Sequence, residues 1–303
     1  MILRAERPDG SIGYGELAPI PEFGTETVER ATAFLDSLVQ SSGMAQDSEA
    51  LADLPTCAFA VSCALADRVG AERDYSVCGL LPAGGGAVPA LVNKVKRGYT
   101  VFKWKIGVAD STEEQAIFSH LVAKLPDSGR IRLDGNCGLR PEALLSWLRF
   151  LEAFRGQVDF LEQPLPVGEE AAMAEFSEAS GFSIGLDESL QGADGARWLM
   201  PGAWDGPLVI KPALAGGRRE LIDRLISVAG QVVLSSVFET GIGGQAALGI
   251  ADELPGLELS IGWDTVSAFD DELAGFLPGP VIRAADRHKL SLEALWNLLP
   301  HSS

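Results

Sequence analysis

Histidine is almost absent from this chain. Only His120, His288 and His301 occur in 303 residues, and none closes an apolar run of the kind that ends in a site. Histidine-based acid–base or nucleophilic chemistry is therefore out of the front rank. Cysteine is scarce as well. Cys57, Cys63, Cys78 and Cys137 have neither CxxC nor zinc-ligand spacing, which excludes a zinc ribbon or a dithiol redox pair. Reduced thiols in a cytoplasmic enzyme are the expected state. No apolar run is long enough to span a membrane, and the N-terminus lacks the basic-then-apolar layout of a signal peptide. Positive charge is short too: 24 Lys and Arg face 42 Asp and Glu, for a net charge of -18. That argues against nucleic acid or an anionic membrane as a partner, though a small substrate can still meet a locally cationic pocket. What is present, 47% hydrophobic and 22% charged residues, suits a globular protein with a sizeable core.

The first seventy residues differ in texture from the rest. Ile12 to Leu17 reads as a strand running into the turn-rich Ala18-Pro19-Ile20-Pro21-Glu22-Phe23-Gly24. Thr25 can cap a helix through Leu38, and a second helix fits Pro55 to Val69, opening on a proline. Residues 1–73 thus read as a small α+β unit. From Asp74 onward short apolar runs alternate with amphipathic helical stretches about every 25–30 residues, the pace of a (β/α)8 barrel. Strands are expected near 75–81, 100–106, 130–135, 158–163, 182–187, 207–211, 231–237 and 257–262. Helical stretches such as Thr112 to Leu125, Arg140 to Phe154, Gly217 to Val228 and Gly244 to Leu254 lie between them. An open doubly wound sheet also alternates, but Gly84-Gly85-Gly86 after the first strand lacks GxGxxG spacing. The barrel is expected over 74–265. The tail, 266–303, returns to strand-then-helix over Val281 to Leu299 and can pack back on the N-terminal unit.

The stretch Val101-Phe102-Lys103-Trp104-Lys105-Ile106-Gly107 organises the chemistry. As a strand it puts Lys103 and Lys105 on one face and Phe102, Trp104 and Ile106 on the other. Two desolvated ammoniums side by side are costly unless paired or used. An edge strand with a solvated face is the bland explanation. The other strand ends favour a site, because barrel enzymes keep their chemistry there. They read Arg132-Leu133-Asp134-Gly135-Asn136, Phe160-Leu161-Glu162-Gln163-Pro164, Gly185-Leu186-Asp187-Glu188-Ser189, Val209-Ile210-Lys211-Pro212 and Leu234-Ser235-Ser236-Val237-Phe238-Glu239. Asp134, Glu162 and Asp187 in register would converge on the mouth as a Mg²⁺ site, with Glu188 a competing ligand. Strand alternation would turn one of Asp187 and Glu188 outward. Lysines on either side of such a metal point to proton abstraction next to a carboxylate, with the charge on the enediolate stabilised. A neighbouring ammonium, Lys103, and the metal both disfavour the charged form of Lys105, which suits it to act as base. Lys211, across the ring, would reach the other face of the substrate or else pair with a strand-five acid.

Lys103-x-Lys105, Asp134-Gly135-Asn136, Glu162-Gln163-Pro164-Leu165, Asp187-Glu188-Ser189 and Lys211-Pro212 resemble the enolase superfamily, in its muconate-lactonising-enzyme-like group. That resemblance implies a modified TIM barrel under an α+β capping domain built from the N-terminus and the C-terminal tail. Gly13-Tyr14-Gly15-Glu16-Leu17-Ala18-Pro19-Ile20-Pro21-Glu22-Phe23, Phe102-Lys103-Trp104-Lys105-Ile106-Gly107 and the strand-seven stretch are most similar to the o-succinylbenzoate synthase family. The first of these is similar to that family's capping loop.

The implied reaction is a Mg²⁺-dependent syn dehydration of 2-succinyl-6-hydroxy-2,4-cyclohexadiene-1-carboxylate in menaquinone or phylloquinone biosynthesis, with Mn²⁺ as a substitute ion. Lys105 would be the single acid/base, Lys211 the stabilising cation, and Ser235, Ser236 and Gly262 the contacts to the succinyl end. The family has residues ahead of the Gly-Tyr-Gly-Glu stretch where this chain has only its first twelve, so an incomplete capping sheet and one missing substrate-covering loop are expected. An N-acylamino acid racemase or dipeptide epimerase of the same superfamily stays open as an alternative, and an idle binding protein as a further one. Strand eight, Leu259-Ser260-Ile261-Gly262-Trp263-Asp264, lacks the Asp-x-Asp pair of dipeptide epimerases, which favours the synthase.

Overall fold

Alternating apolar runs close into a ring. The computed structural model describes residues 1–40, 51–67, 70, 73–265, 272–276 and 279–300. Two antiparallel strands, β1 (Ile2–Glu6) and β2 (Ile12–Glu16), open the chain, followed by α1 (Val28–Gln40) and α2 (Pro55–Leu65). The hairpin partner β1 is a strand that the sequence did not announce. The second helix stops at Leu65; the rest of its expected span, to Val69, falls partly outside the described residues. Helix α2 lies directly on the hairpin. A Cβ on Gly13 or Gly15 would stand 1.8 Å from the Ala64 carbonyl oxygen or 1.9 Å from that of Ala60, so only glycine allows this approach.

The barrel then runs β3 (Tyr75–Ser76), β4 (Gly79–Leu81), α3 (Ala87–Lys96), β5 (Val101–Lys105), α4 (Ser111–Val122), β6 (Arg130–Asp134), α5 (Pro141–Leu151), β7 (Val158–Glu162), α6 (Glu170–Ser180), β8 (Ile184–Gly185), β9 (Leu208–Ile210), α7 (Arg218–Leu225), β10 (Val232–Leu234) and α8 (Gly241–Glu253). Strands β4 to β8 form one parallel sheet in sequence order, and β9 pairs with β10 in parallel. Single parallel bridges complete the circle: Leu186 with Leu208, Ser235 with Gly262, and Val77 with Ile261. The strand expected over 257–262 is therefore reduced to Ile261 and Gly262, whose N–H groups donate to Ser76 and Leu234. Leu259 packs instead with Phe160, Val209 and Val233.

The expected strand 75–81 is divided. Its start, β3, pairs antiparallel with β11 (Val281–Ile282) of the tail, while β4 joins the barrel. After β11 come α9 (Ala284–Lys289) and α10 (Leu292–Asn297). Leu292 and Leu295 of α10 pack with Tyr14 of the hairpin and Ile242 of α8, so the tail touches both textures of the chain. Arg287 of α9 is fully buried and forms a two-pronged ion pair with Asp252, each hydrogen bond 3.0 Å or shorter. One core runs between the ring and its outer helices. Phe102, Trp104 and Ile106 belong to it together with Phe118, Trp147 and Leu161.

Candidate active site

Alternation along β5 buries Phe102 and Trp104 against the helices and turns Lys103 and Lys105 to the other face. Cross-strand register then lines up the acids: Lys105 lies opposite Asp134, and Asp134 opposite Glu162. Asp187 follows two residues after Gly185, the partner of Glu162. All three carboxylates are deeply buried, with exposures of 4, 1 and 2% for Asp134, Glu162 and Asp187.

Lys103 bridges the first two, its Nζ 2.7 Å from Asp134 Oδ2 and 2.5 Å from Glu162 Oε1. Lys211, at the end of β9, pairs with Asp187. Burial works against the charge on Lys103, but Glu162, Asp134 and Asp187 outweigh it and hold the proton on more firmly than usual. Burial pushes the carboxyls of Asp134 and Asp187 up, with Glu162 and Glu188 adding to it and the lysines opposing. Lys105 differs from the other two lysines. It is exposed and makes no hydrogen bond or ion pair to a described residue.

Backbone strain accompanies these residues. Asn136, Cys137 and Gln163 have φ of 39°, 60° and 34°, which side chains other than glycine seldom adopt. Hydrogen bonds hold them there. Asn136 N donates to Asp134 Oδ1, and the buried Gln163 accepts from the N–H groups of Asp187 and Ser189 at 3.0 and 3.2 Å. Gln163 thereby fixes the backbone of Asp187, a contact across two strands that strand-end reading missed. Glu188 does not face the outer helices. β8 has ended by then, so strand alternation no longer governs, and Glu188 Oε1 accepts from Asn136 Nδ2 while Oε2 stays buried with no partner among the described residues.

Opposite β5, the ring of Phe23 from the turn-rich stretch 18–24 lies 4.8 Å from the ammonium of Lys211. The cap thus reaches the mouth. Ser235 and Gly262 stand side by side on adjoining strands; a Cβ on Gly262 would come within 2.8 Å of Ser235 Oγ. The two serines have unequal surroundings. Ser235 Oγ has no partner among the described residues, whereas Ser236 Oγ donates to Glu239 and accepts from Thr265 Oγ1 and the Phe238 N–H.

Asp134, Glu162 and Asp187 were expected around one ion, and here they are divided between two lysines. Among the described residues no group of three or more His, Cys, Asp or Glu side chains is arranged to hold a metal. The donor chemistry nevertheless fits a hard divalent cation: three buried carboxylates, with positive charge already among them and one further carboxylate oxygen, Glu188 Oε2, orphaned beside them. Holding a cation there requires Lys103 and Lys211 to release those oxygens.

Two more of the buried acids, Glu16 and Glu239, stood in quoted stretches of the sequence without a role of their own. Glu16 of β2 accepts from Thr240 N, Thr240 Oγ1 and Gly243 N at the start of α8. Glu239 sits beneath the turn after β10. The Gly-Tyr-Gly-Glu stretch carried the first signal, since alternation puts both glycines on one face and Tyr14 and Glu16 on the other.

Comparison with known proteins agrees with this architecture. Residues 87–268 match the family described as "Enolase C-terminal domain-like", and residues 3–68 match "MenC, N-terminal domain". The chain is 36% identical over 225 residues to an o-succinylbenzoate synthase of Thermosynechococcus vestitus, covering 71% of this chain and 68% of that one. A crystal structure of o-succinylbenzoate synthase from Thermosynechococcus elongatus BP-1, complexed with Mg in the active site, superposes with a TM-score of 0.73 at 33% identity, over 86% of this chain and 83% of that one. The L-Ala-D/L-Glu epimerase of Bacillus subtilis shares the fold, with a TM-score of 0.78 at 20% identity over 93% of this chain and 87% of that one. The parallel ring, its lysines and acids at the strand ends, and these matches make the chain a member of the enolase superfamily, most like the o-succinylbenzoate synthases, a family of hydro-lyases.

Proposed function

We propose that the chain is an o-succinylbenzoate synthase that dehydrates 2-succinyl-6-hydroxy-2,4-cyclohexadiene-1-carboxylate to 2-succinylbenzoate, a step of menaquinone or phylloquinone biosynthesis. One observation carries this reading. Lys105 has no partner among the described residues and lies next in register to a buried cluster in which Lys103 and Lys211 are each held by a carboxylate. The similarity of both chain portions to that family supports it. Residues 1–73 and 266–303 are taken as cap and 74–265 as barrel.

In this account Lys105 removes the proton α to the ring carboxylate and returns it to the departing hydroxyl on the same face, so water leaves syn and the ring becomes aromatic. Asp134, Glu162 and Asp187 would hold Mg²⁺, or Mn²⁺ as a substitute, which supplies positive charge at the substrate carboxylate. The Mg bound in the Thermosynechococcus elongatus relative supports a divalent ion. Lys103 is the ammonium next to Lys105 on the same strand face, and it bridges Asp134 and Glu162 and offsets their mutual repulsion. Lys211 stabilises the enediolate from the opposite face, a role in keeping with its position over the Phe23 ring. Ser235 and Gly262 receive the succinyl arm beside Ser236, whose own hydroxyl is taken by Glu239, Thr265 and Phe238.

The test is Lys105→Ala. It is expected to lower kcat by roughly a thousandfold or more while Mg²⁺ affinity, measured by calorimetry, is retained. Turnover within about tenfold of wild type would remove Lys105 from the role of base.

A further inference from the structure

Glu239 is 5% exposed and takes no part in the reaction just described. Its Oε2 accepts from Ser236 Oγ and, at 2.9 Å, from the Val237 N–H, while Oε1 is buried with no partner among the described residues. These bonds build a tight turn directly after β10. Within it Phe238 has φ of 67° and an exposed ring, and its N–H donates to Ser236 Oγ at 3.1 Å. Such a conformation is unfavourable for an aromatic residue and persists only where the surroundings over-determine it. The Glu239 carboxylate supplies that constraint.

The hydroxyl of Ser236 is thereby saturated. Its proton goes to Glu239 and its lone pairs to Thr265 and Phe238. One residue earlier, the hydroxyl of Ser235 has no partner among the described residues and stands beside Gly262, on backbone that the same turn terminates. On the far side of Glu239 the next residue, Thr240, is gripped by Glu16 of the cap hairpin at 2.6 Å. The turn is thus held from below by Glu239 and tied to the cap by its neighbour. Burial, with the charge of Glu16 adding to it, pushes the Glu239 carboxyl up to about 7 in spite of its hydrogen bonds.

We propose that Glu239 is a positioning residue for substrate recognition: it locks the Ser236–Phe238 turn so that Ser235 Oγ stands beside Gly262, ready for the arm of the substrate farthest from the reacting ring. This rests on the dehydration reading for the identity of that arm. A hydroxyl so placed can donate to a ligand acceptor, which the distal carboxylate of a succinyl chain provides.

The test compares two ligands of the Mg²⁺-loaded protein by calorimetry, 2-succinylbenzoate and benzoate, the second lacking the arm. Glu239→Ala is expected to weaken 2-succinylbenzoate roughly tenfold and leave benzoate within about twofold, the scale of a lost hydrogen bond. In turnover it raises KM by a similar factor with a smaller change in kcat. Glu239→Gln, whose amide oxygen can still accept from Ser236 and Val237, restores the wild-type values and shows that the loss is not one of folding. Equal losses for both ligands, no loss for either, or failure of the glutamine variant to rescue would overturn the role. A wild type that binds 2-succinylbenzoate more tightly than benzoate yet does not dehydrate the cyclohexadiene overturns the dehydration reading alone. A wild type that binds both equally overturns the role of the arm.

Discussion

A buried carboxyl with one bare oxygen resists ionisation, and at Glu239 this should be visible in stability. Its folded value of about 7 lies above the ordinary 4.5, so between these pH values the folded chain keeps a proton that the unfolded chain has released. The resulting stabilisation is fully present below about pH 4.5 and is lost as pH rises through 7. Glu239→Gln does not titrate. The unfolding free energy of that variant minus wild type is therefore expected to grow by roughly 3 kcal/mol between about pH 5 and pH 8, read from urea transitions. A gap that stays constant with pH would show that the group does not titrate in this range. At this scale the sequence was readable where a residue's role depends on its own strand. Lys103, Asp134 and Glu162 end apolar runs, and register alone brings them together. Glu16 and Gln163 were not readable, because their partners lie on other elements: Thr240 is 224 positions from Glu16, and Asp187 is 24 from Gln163.

Strand β5 shows the same division among elements. Its two faces follow from period-two alternation, and the hydrophobic face holds the ring to its helices. Trp104 is fully buried there, and its indole N–H has no acceptor among the described residues, so it contributes through packing. Trp104→Ala should cost about 3–5 kcal/mol in urea unfolding. A loss below about 1 kcal/mol would contradict a packing role for Trp104 in the core. Elements with sustained alternation or amphipathic spacing, such as β5, β6 and α5, lie close to their expected places. The last barrel strand does not. Only Ile261 and Gly262 pair, since ring closure needs two residues bonded on both sides rather than a full strand. The run 75–81 looked like one strand because sequence alone gave no sign that the tail, some two hundred residues later, takes its first half.

Over the whole molecule, a chain with a net charge of -18 gathers three lysines at one end of a ring of parallel strands. Two are paired with buried acids, and the third, Lys105, has no partner among the described residues. The cap is keyed to this end twice, through Phe23 over Lys211 and through Glu16 at the start of α8. Turn chemistry and the Gly-Tyr-Gly-Glu alternation hinted at the cap, but its seat on the barrel depends on contacts that no local pattern records. The most direct test of the account is ultraviolet monitoring of the cyclohexadiene substrate with Mg²⁺ present and after chelation, beside N-acyl amino acids in D₂O. The account predicts Mg²⁺-dependent conversion to 2-succinylbenzoate that stops on chelation and returns with Mg²⁺ or Mn²⁺. Deuterium exchange into an N-acyl amino acid with no dehydration of the cyclohexadiene would contradict it.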